Sequence, residues 1–154
     1  MPRATFETSM GRFIAELHAD QAPNTVANFL AYAKEGFYAG TIFHRVIKGF
    51  VIQGGGFTEP MKQKPTKPPI RLEIARGLKH GDGALSMART NDPHSATSQF
   101  YVCDGPQPFL DNNYAVFGRV VEGMDVVRKI AATPTGPGDV PRTPVVLRSV
   151  TVQE

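Results

Sequence analysis

Tryptophan is absent from this sequence of 154 residues, and cysteine occurs once, at Cys103. A single cysteine cannot form a disulfide within the chain, which is typical of a reducing compartment, so we expect a cytoplasmic protein. Because Cys103 follows Tyr101 and Val102, we interpret it as a small core residue rather than a nucleophile. The four histidines show no metal-ligand spacing, so we expect neither a metal nor another cofactor.

Long apolar runs and a strong net charge are also lacking. No stretch approaches the roughly 18 apolar residues of a membrane span, and the first residues contain no apolar leader. The 17 basic and 14 acidic residues leave a formal net charge of only +3, which does not support a nucleic-acid role. We therefore expect partners that are neither membranes nor nucleic acids.

The length and the spread of turn-forming residues indicate one domain. A chain of this size buries about two-thirds of its unfolded surface, which is enough for a core of its own. The 13 prolines and 15 glycines are distributed along the chain rather than pooled in a linker. We expect a single domain over residues 1–154.

Two amphipathic helices are predicted from periodicity and from their end signals. Pro23 near a first turn, an apolar stripe from Val26 to Ala33 and a stop at Gly36 predict the first helix. A second, shorter helix is expected after Gly123. Both apolar faces need a sheet to cover.

The remainder reads as short strands, which favours an all-β sandwich or barrel. A hairpin turning at Ser9-Met10-Gly11 begins the chain. Residues 58–69 contain four prolines, so we expect an exposed loop without a strand ladder. Further strands are predicted over residues 84–88, 98–103, 114–121 and 145–152.

One stretch, residues 42–57, places polar groups inside an apolar run. Arg45 lies among apolar neighbours and Gln53 directly follows Phe50-Val51-Ile52, so each side chain needs a partner or a substrate. Two strands joined by a turn near Lys48-Gly49 would let Arg45 and Gln53 meet. For Arg45 alone, a solvated or ion-paired strand face would be the default interpretation.

This stretch resembles the central signature of the cyclophilins, a family of peptidyl-prolyl cis-trans isomerases. The matching positions are Phe43, His44, Arg45, Gly49, Phe50, Gln53, Gly54 and Gly55. Four later segments resemble cyclophilin segments in the same order: residues 83–88, 98–102, 109–111 and 116–120. The resemblance extends from about Phe6 to Val152 and is strongest to the small cytoplasmic bacterial branch of the family.

The resemblance implies an all-β fold with two helices, namely a closed eight-stranded antiparallel β-barrel capped by a helix at each end. It also implies an enzyme that acts without a cofactor on proline-containing peptides and on unfolded or folding proteins. Rotation about a peptide bond faces a barrier of about 18–20 kcal/mol, so a catalyst must bind the twisted amide better than the planar forms. Arg45 is our candidate catalytic residue, as a donor to the prolyl nitrogen of the twisted amide.

Matching motif positions imply a substrate-binding set in which Gln53 holds the guanidinium, apolar side chains receive the proline ring, and polar groups bind the peptide chain. At Ala88 and Arg89 the backbone is the expected contact. The set is Phe50, Val51, Gln53, Ala88, Arg89, Gln99, Tyr101, Phe109, Leu110 and Tyr114.

Several of these residues have ordinary structural interpretations. Phe50 and Leu110 could be core residues, Tyr101 could be a rim tyrosine with its hydroxyl in water, and Gln99 could tie two strands together. The same groove could also serve a non-catalytic chaperone or adaptor that binds proline-containing segments. A barrel that carries a small apolar ligand is disfavoured, because the family's barrel is filled by side chains.

Phe109 stands where cyclophilins that bind cyclosporin tightly have a tryptophan. We therefore expect cyclosporin binding to be weak. A monomer is the default expectation, because the sequence shows no exposed apolar stripe.

Overall fold

A computed structural model describes all residues from Met1 to Glu154. Two α-helices, α1 (Pro23–Lys34) and α2 (Met124–Ala131), and two short 3-10 turns (Pro108–Leu110 and Pro137–Asp139) accompany eleven strands. The strands are β1 (Arg3–Thr8), β2 (Gly11–Leu17), β3 (Thr41–Ile42), β4 (Arg45–Ile47), β5 (Val51–Gly54), β6 (Phe57–Thr58), β7 (Lys62–Gln63), β8 (Ala84–Met87), β9 (Phe100–Cys103), β10 (Val116–Glu122) and β11 (Val146–Gln153).

Nine strands form one antiparallel sheet in the order β3-β11-β1-β2-β10-β8-β9-β5-β4. The outermost strands, β3 and β4, are separated by only Phe43 and His44, because the chain changes its partner strand there from β11 to β5. This interruption accounts for nine strands where eight were expected. The all-β class with two helices is confirmed, whereas closure of the barrel stays a prediction, because no ladder joins β3 to β4.

Both predicted helices form with their apolar faces against the sheet. Helix α1 has Pro23 in its first turn and ends just before Gly36, whose φ of 75° suits glycine. Helix α2 follows Gly123, where an added Cβ would lie 2.5 Å from the backbone oxygen of Arg12. Only glycine fits there. Neither helix is long and apolar enough to cross a bilayer.

The predicted strands also form, with one correction in the proline-rich segment. The hairpin β1–β2 turns as expected, with Thr8 opposite Gly11. We expected no ladder in residues 58–69, but β6 and β7 pair there with Phe57 opposite Gln63. The prolines flank this two-residue ladder without interrupting it, which is why it can form.

The main core consists of 29 buried residues between the sheet and both helices. Aromatic rings fill its centre: Phe6 stacks on Phe13 with ring centroids 4.6 Å apart, and Phe29 of α1 packs 5.3 Å from Phe117. The interior is therefore occupied by side chains, which agrees with the argument against a ligand-carrying barrel.

Candidate active site

Four neighbouring strands place polar residues in one row on the sheet face opposite the main core. Arg45 of β4 pairs with Gln53 of β5, Gln53 with Tyr101 of β9, and Tyr101 with Ser86 of β8. Successive side chains of a strand point to opposite faces, so Ile52 beside Gln53 packs into the main core instead. The strand register therefore fixes the order Arg45, Gln53, Tyr101, Ser86.

The predicted meeting of Arg45 and Gln53 occurs. Nη1 of Arg45 donates to Oε1 of Gln53 over 3.4 Å, and Nε2 of Gln53 donates to Oε1 of Gln99 over 3.0 Å. The first bond is longer than the usual 2.7–3.2 Å, so Gln53 restrains the guanidinium only weakly. The guanidinium of Arg45 makes no other hydrogen bond or ion pair, which leaves four of its five N–H donors without a protein partner.

A cavity of about 180 Å³ opens beside this row. One water needs roughly 10–15 Å³ on such a measure, so the cavity has room for a side chain. Its floor includes the buried Val51, Tyr101 and Leu110, which belong to a second, smaller apolar cluster. The lining brings together nine of the eleven predicted site residues: Arg45, Phe50, Val51, Gln53, Ala88, Arg89, Tyr101, Leu110 and Tyr114.

Gln99 and Phe109, the other two predicted residues, lie beside the cavity. Gln99 lines an adjacent polar groove of about 300 Å³ that also contains Gln53 and Arg89. Phe109 stacks on Phe50 with ring centroids 5.7 Å apart and is 65% exposed. Because the Cζ of Arg45 lies 5.9 Å from the centroid of Phe50, the two phenyl rings extend the wall beside the guanidinium.

The side chain of Arg89 packs at the cavity, whereas the sequence predicted a role for its backbone only. Its Nε and Nη2 donate to the carbonyl oxygen of Asn113 over 3.2 and 2.7 Å. The guanidinium carbon lies 4.4 Å from the ring centroid of Tyr114. This cation–π contact fixes Tyr114 at the cavity wall.

The backbone between Ala88 and Arg89 offers free hydrogen-bonding groups. The Ala88 amide donates to the carbonyl of Gln99 over 3.0 Å, but the Ala88 carbonyl and both backbone groups of Arg89 have no protein partner. Both residues are partly exposed. An extended peptide could pair with these groups.

A histidine that the sequence analysis did not select lies directly behind Tyr101. Nε2 of His80 lies 2.9 Å from the Tyr101 hydroxyl, and Nδ1 lies 2.9 Å from Oδ1 of Asp111. Burial lowers the pKa of His80, with Asp111 opposing the shift, and burial raises the pKa of the Tyr101 phenol. The hydroxyl of Tyr101 is therefore bonded to His80 and does not lie in water.

Two further buried groups carry no chemistry of their own. Burial raises the pKa of the Cys103 thiol to about 12, which leaves it protonated in the apolar cluster. Burial, with a smaller effect of Arg45, lowers the pKa of His44 to about 4, and its ring packs 4.5 Å from that of Phe57.

No group of three or more potential metal ligands is close enough together to hold a metal ion.

Comparison with known proteins gives one consistent family. The family described as "Cyclophilin type peptidyl-prolyl cis-trans isomerase/CLD" matches residues 3–152. Peptidyl-prolyl cis-trans isomerase B of Escherichia coli (strain K12) is 51% identical over 97% of this chain and 99% of its own length. A peptidyl-prolyl cis-trans isomerase of Streptomyces antibioticus is 49% identical over 99% of both chains.

A solved structure supports the same assignment. The cyclophilin-type peptidyl-prolyl cis-trans isomerase of Cryptosporidium parvum, crystallised in the presence of the dipeptide Ala-Pro, superposes with a TM-score of 0.87. It is 28% identical in sequence, and the superposition covers 99% of each chain. The protein is a peptidyl-prolyl cis-trans isomerase, and it belongs to the cyclophilin-type family, with bacterial members among its similar relatives.

Proposed function

We propose that this enzyme accelerates rotation about X-Pro bonds in peptides and folding proteins without a covalent step, with Arg45 as its catalytic residue. One observation carries the proposal: Arg45 uses a single donor on Gln53 and has four more at the cavity wall. The substrate is a proline-containing peptide segment, and no cofactor takes part.

The chemistry requires a fixed donor at the prolyl nitrogen. Resonance is lost as the amide twists, so the nitrogen becomes pyramidal and regains a lone pair that can accept a hydrogen bond. A donor of Arg45 aimed at that lone pair binds the twisted amide and has no such acceptor in the planar forms. One preorganised donor of this kind is worth about 2.7–4 kcal/mol in other enzymes, or about 10²–10³ in rate.

The proline ring occupies the apolar part of the cavity. Phe50, Val51, Leu110 and Tyr101 receive the ring, and their apolar surfaces favour its transfer from water. The ring is thereby held while the rest of the peptide rotates. Phe109 and Tyr114 border this pocket at its outer edge.

The peptide chain runs across the groove beside the pocket. Gln99 and the unpartnered backbone groups of Ala88 and Arg89 supply hydrogen bonds to it. Gln99 also connects the groove to the catalytic residue, because it accepts from Gln53, which in turn accepts from Arg45. The dipeptide Ala-Pro, in whose presence the Cryptosporidium parvum protein was crystallised, belongs to this chemical class.

The wider setting is part of the proposal. We expect residues 1–154 to act as a single domain, and as a monomer, because only four large apolar side chains are exposed: Met1, Met61, Ile74 and Phe109. The single cysteine, which cannot form a disulfide within the chain, supports a cytoplasmic location. Weak cyclosporin binding follows from Phe109, which offers a smaller ring than tryptophan and no N–H donor.

Exchange NMR on a short peptide that contains Ala-Pro tests this function. The experiment measures cis–trans exchange with the protein and maps the protein resonances that shift on titration. We expect faster exchange and shifts centred on Arg45, Gln53 and Tyr101. Binding at these residues with an unchanged exchange rate would instead indicate the non-catalytic chaperone or adaptor.

A further inference from the structure

Tyr101 is tethered from behind the proline pocket. The residue is 5% exposed, and its hydroxyl lies 2.9 Å from Nε2 of His80. The two rings lie nearly parallel, at 13°, with centroids 5.9 Å apart. Tyr101 thus lines the cavity, while its polar end is held by a residue outside the cavity lining.

The direction of the hydrogen bonds follows from the partners. The carboxylate of Asp111 accepts from the His80 backbone amide over 2.7 Å and lies 2.9 Å from Nδ1 of the same residue. An ionised carboxylate only accepts, so Nδ1 carries the proton and Nε2 has a lone pair. Nε2 therefore accepts, and the Tyr101 hydroxyl, which at 2.9 Å is the nearest hydroxyl, donates its proton to His80.

Ser86 completes the arrangement. Its hydroxyl lies 3.2 Å from Nε2 of His80, and Ser86 is the cross-strand partner of Tyr101. The side chain of Ser86 is fully buried, as is the imidazole of His80. A buried polar group without a partner is unfavourable, so this network favours the rotamer of Tyr101 that keeps its hydroxyl bonded to His80.

We propose that His80 and Asp111 are positioning residues, which hold the Tyr101 ring through its hydroxyl as a fixed wall of the proline pocket. This inference rests on the proposed function, in which that ring contacts the substrate proline. A phenylalanine could occupy the same space but could not be tethered, since it lacks the donor. The pocket is then preorganised before the peptide arrives, which lowers the cost of ordering it on binding.

The test uses a double-mutant cycle of Tyr101→Phe and His80→Ala, with His80→Gln as the conservative variant. Tyr101→Phe keeps the ring and removes only the hydroxyl, and we expect kcat/KM to fall about fivefold, mainly through a higher KM. The glutamine side chain introduced by His80→Gln does not mimic the imidazole ring, but its Oε1 can accept from Tyr101. This variant should therefore retain more activity than His80→Ala. In a His80→Ala background, Tyr101→Phe should have no further effect.

A matched control separates a lost tether from general destabilisation. Tyr32 of α1 is also fully buried, and its hydroxyl accepts from the Lys67 backbone amide over 3.0 Å, outside the lining of the proposed pocket. Tyr32→Phe should lower stability and leave both KM and kcat unchanged. A merely structural role for His80 would give the same result for Tyr101→Phe.

The possible outcomes are distinct. A wild-type protein that binds but does not accelerate exchange contradicts the proposed function. An active wild type whose Tyr101→Phe variant keeps its KM overturns the positioning role alone. Additive losses in the His80→Ala background would also overturn it, because they would show that the two residues act independently.

Discussion

Arg45 and Tyr101 lie on either side of Gln53 in one cross-strand row. The proposed donor and the proposed wall of the proline pocket are therefore spaced by the ladder of three strands and not by loops. A shift of one residue in this register would turn all of these side chains to the opposite face. Placing the groups on paired strands gives them the positional precision that this kind of catalysis requires.

Gly56 controls the position of Gln99. A Cβ at residue 56 would lie 2.5 Å from Cγ of Gln99, so Gly56→Ala must displace that side chain, and we expect its hydrogen bond from Gln53 to be lost. We expect kcat/KM to fall about tenfold with little loss of stability, because a misplacement of about 1 Å can cost as much as 10²-fold. Gly136→Ala is the control, since nothing lies within 4 Å of its Cβ position. Equal activities of the two variants would refute the role of Gln99.

Phe109 forms the exposed end of the aromatic stack with Phe50. Replacement by tryptophan would enlarge the stack on Phe50 and add an N–H donor. Aromatic contacts are worth about 0.5–1.5 kcal/mol, so Phe109→Trp should tighten cyclosporin binding up to about tenfold. Titration calorimetry measures this, with Phe109→Leu as the control that should weaken binding. Tight binding by the wild type would contradict the prediction.

Glu73 caps helix α1 from a distant loop. The cap residue, Ala22, has no side-chain acceptor, and Glu73 instead accepts from the Thr25 amide over 2.8 Å and from the Thr25 hydroxyl over 2.7 Å. Loss of this cap should lower the free energy of unfolding by about 1–2 kcal/mol in Glu73→Ala. Urea unfolding measures it, and Glu122→Ala, at an exposed residue without a side-chain partner, should change little. Similar values for both variants would show that Glu73 is not a cap.

His44 should make stability depend on pH. Its pKa falls from 6.5 to about 4 on folding, so the unfolded chain takes up the proton first. The free energy of unfolding is therefore unaffected by this group above about pH 6.5, where His44 is neutral in both states. It falls as the pH is lowered from about 6.5 towards 4, because only the unfolded chain binds the proton in that range. The size of this fall is roughly 2 kcal/mol, allowing for partial solvation.

Unfolding free energies measured between pH 7 and pH 4 test this dependence. His44→Phe keeps a ring against Phe57 and removes the titration, so its free energy should fall less steeply with acid. Some slope remains, because burial also lowers the pKa of His18 and of His80. Identical slopes for wild type and variant would contradict the assignment.

The sequence predicted those features that leave a local signature. Helix α1 follows from periodicity and from Pro23 and Gly36, and the Arg45–Gln53 contact follows because polar groups in apolar strands need partners. The resemblance then identified nine residues that the structure brings to one cavity. It did not supply the cation–π contact of Arg89, because a backbone role was the only one implied there.

Features built from distant residues could not be predicted in this way. His80 lies 21 residues from Tyr101 and 31 from Asp111, so no spacing in the chain marks the network. The β6–β7 ladder was missed for another reason: prolines flank Lys62 and Gln63 but do not occupy the two paired positions. Composition described the segment as a whole, whereas pairing depends on individual residues.

The most direct test of the account is kcat/KM for an X-Pro peptide with wild type, Arg45→Ala and Arg45→Lys. Arg148→Ala serves as the control, because Arg148 is an exposed strand arginine without a side-chain partner. We predict a loss of about 10²–10³ for Arg45→Ala and a smaller loss for Arg45→Lys, which keeps the charge but not the planar fork. Circular dichroism and thermal unfolding would establish that all variants are folded. A folded Arg45→Ala variant with the activity of Arg148→Ala would contradict the central claim.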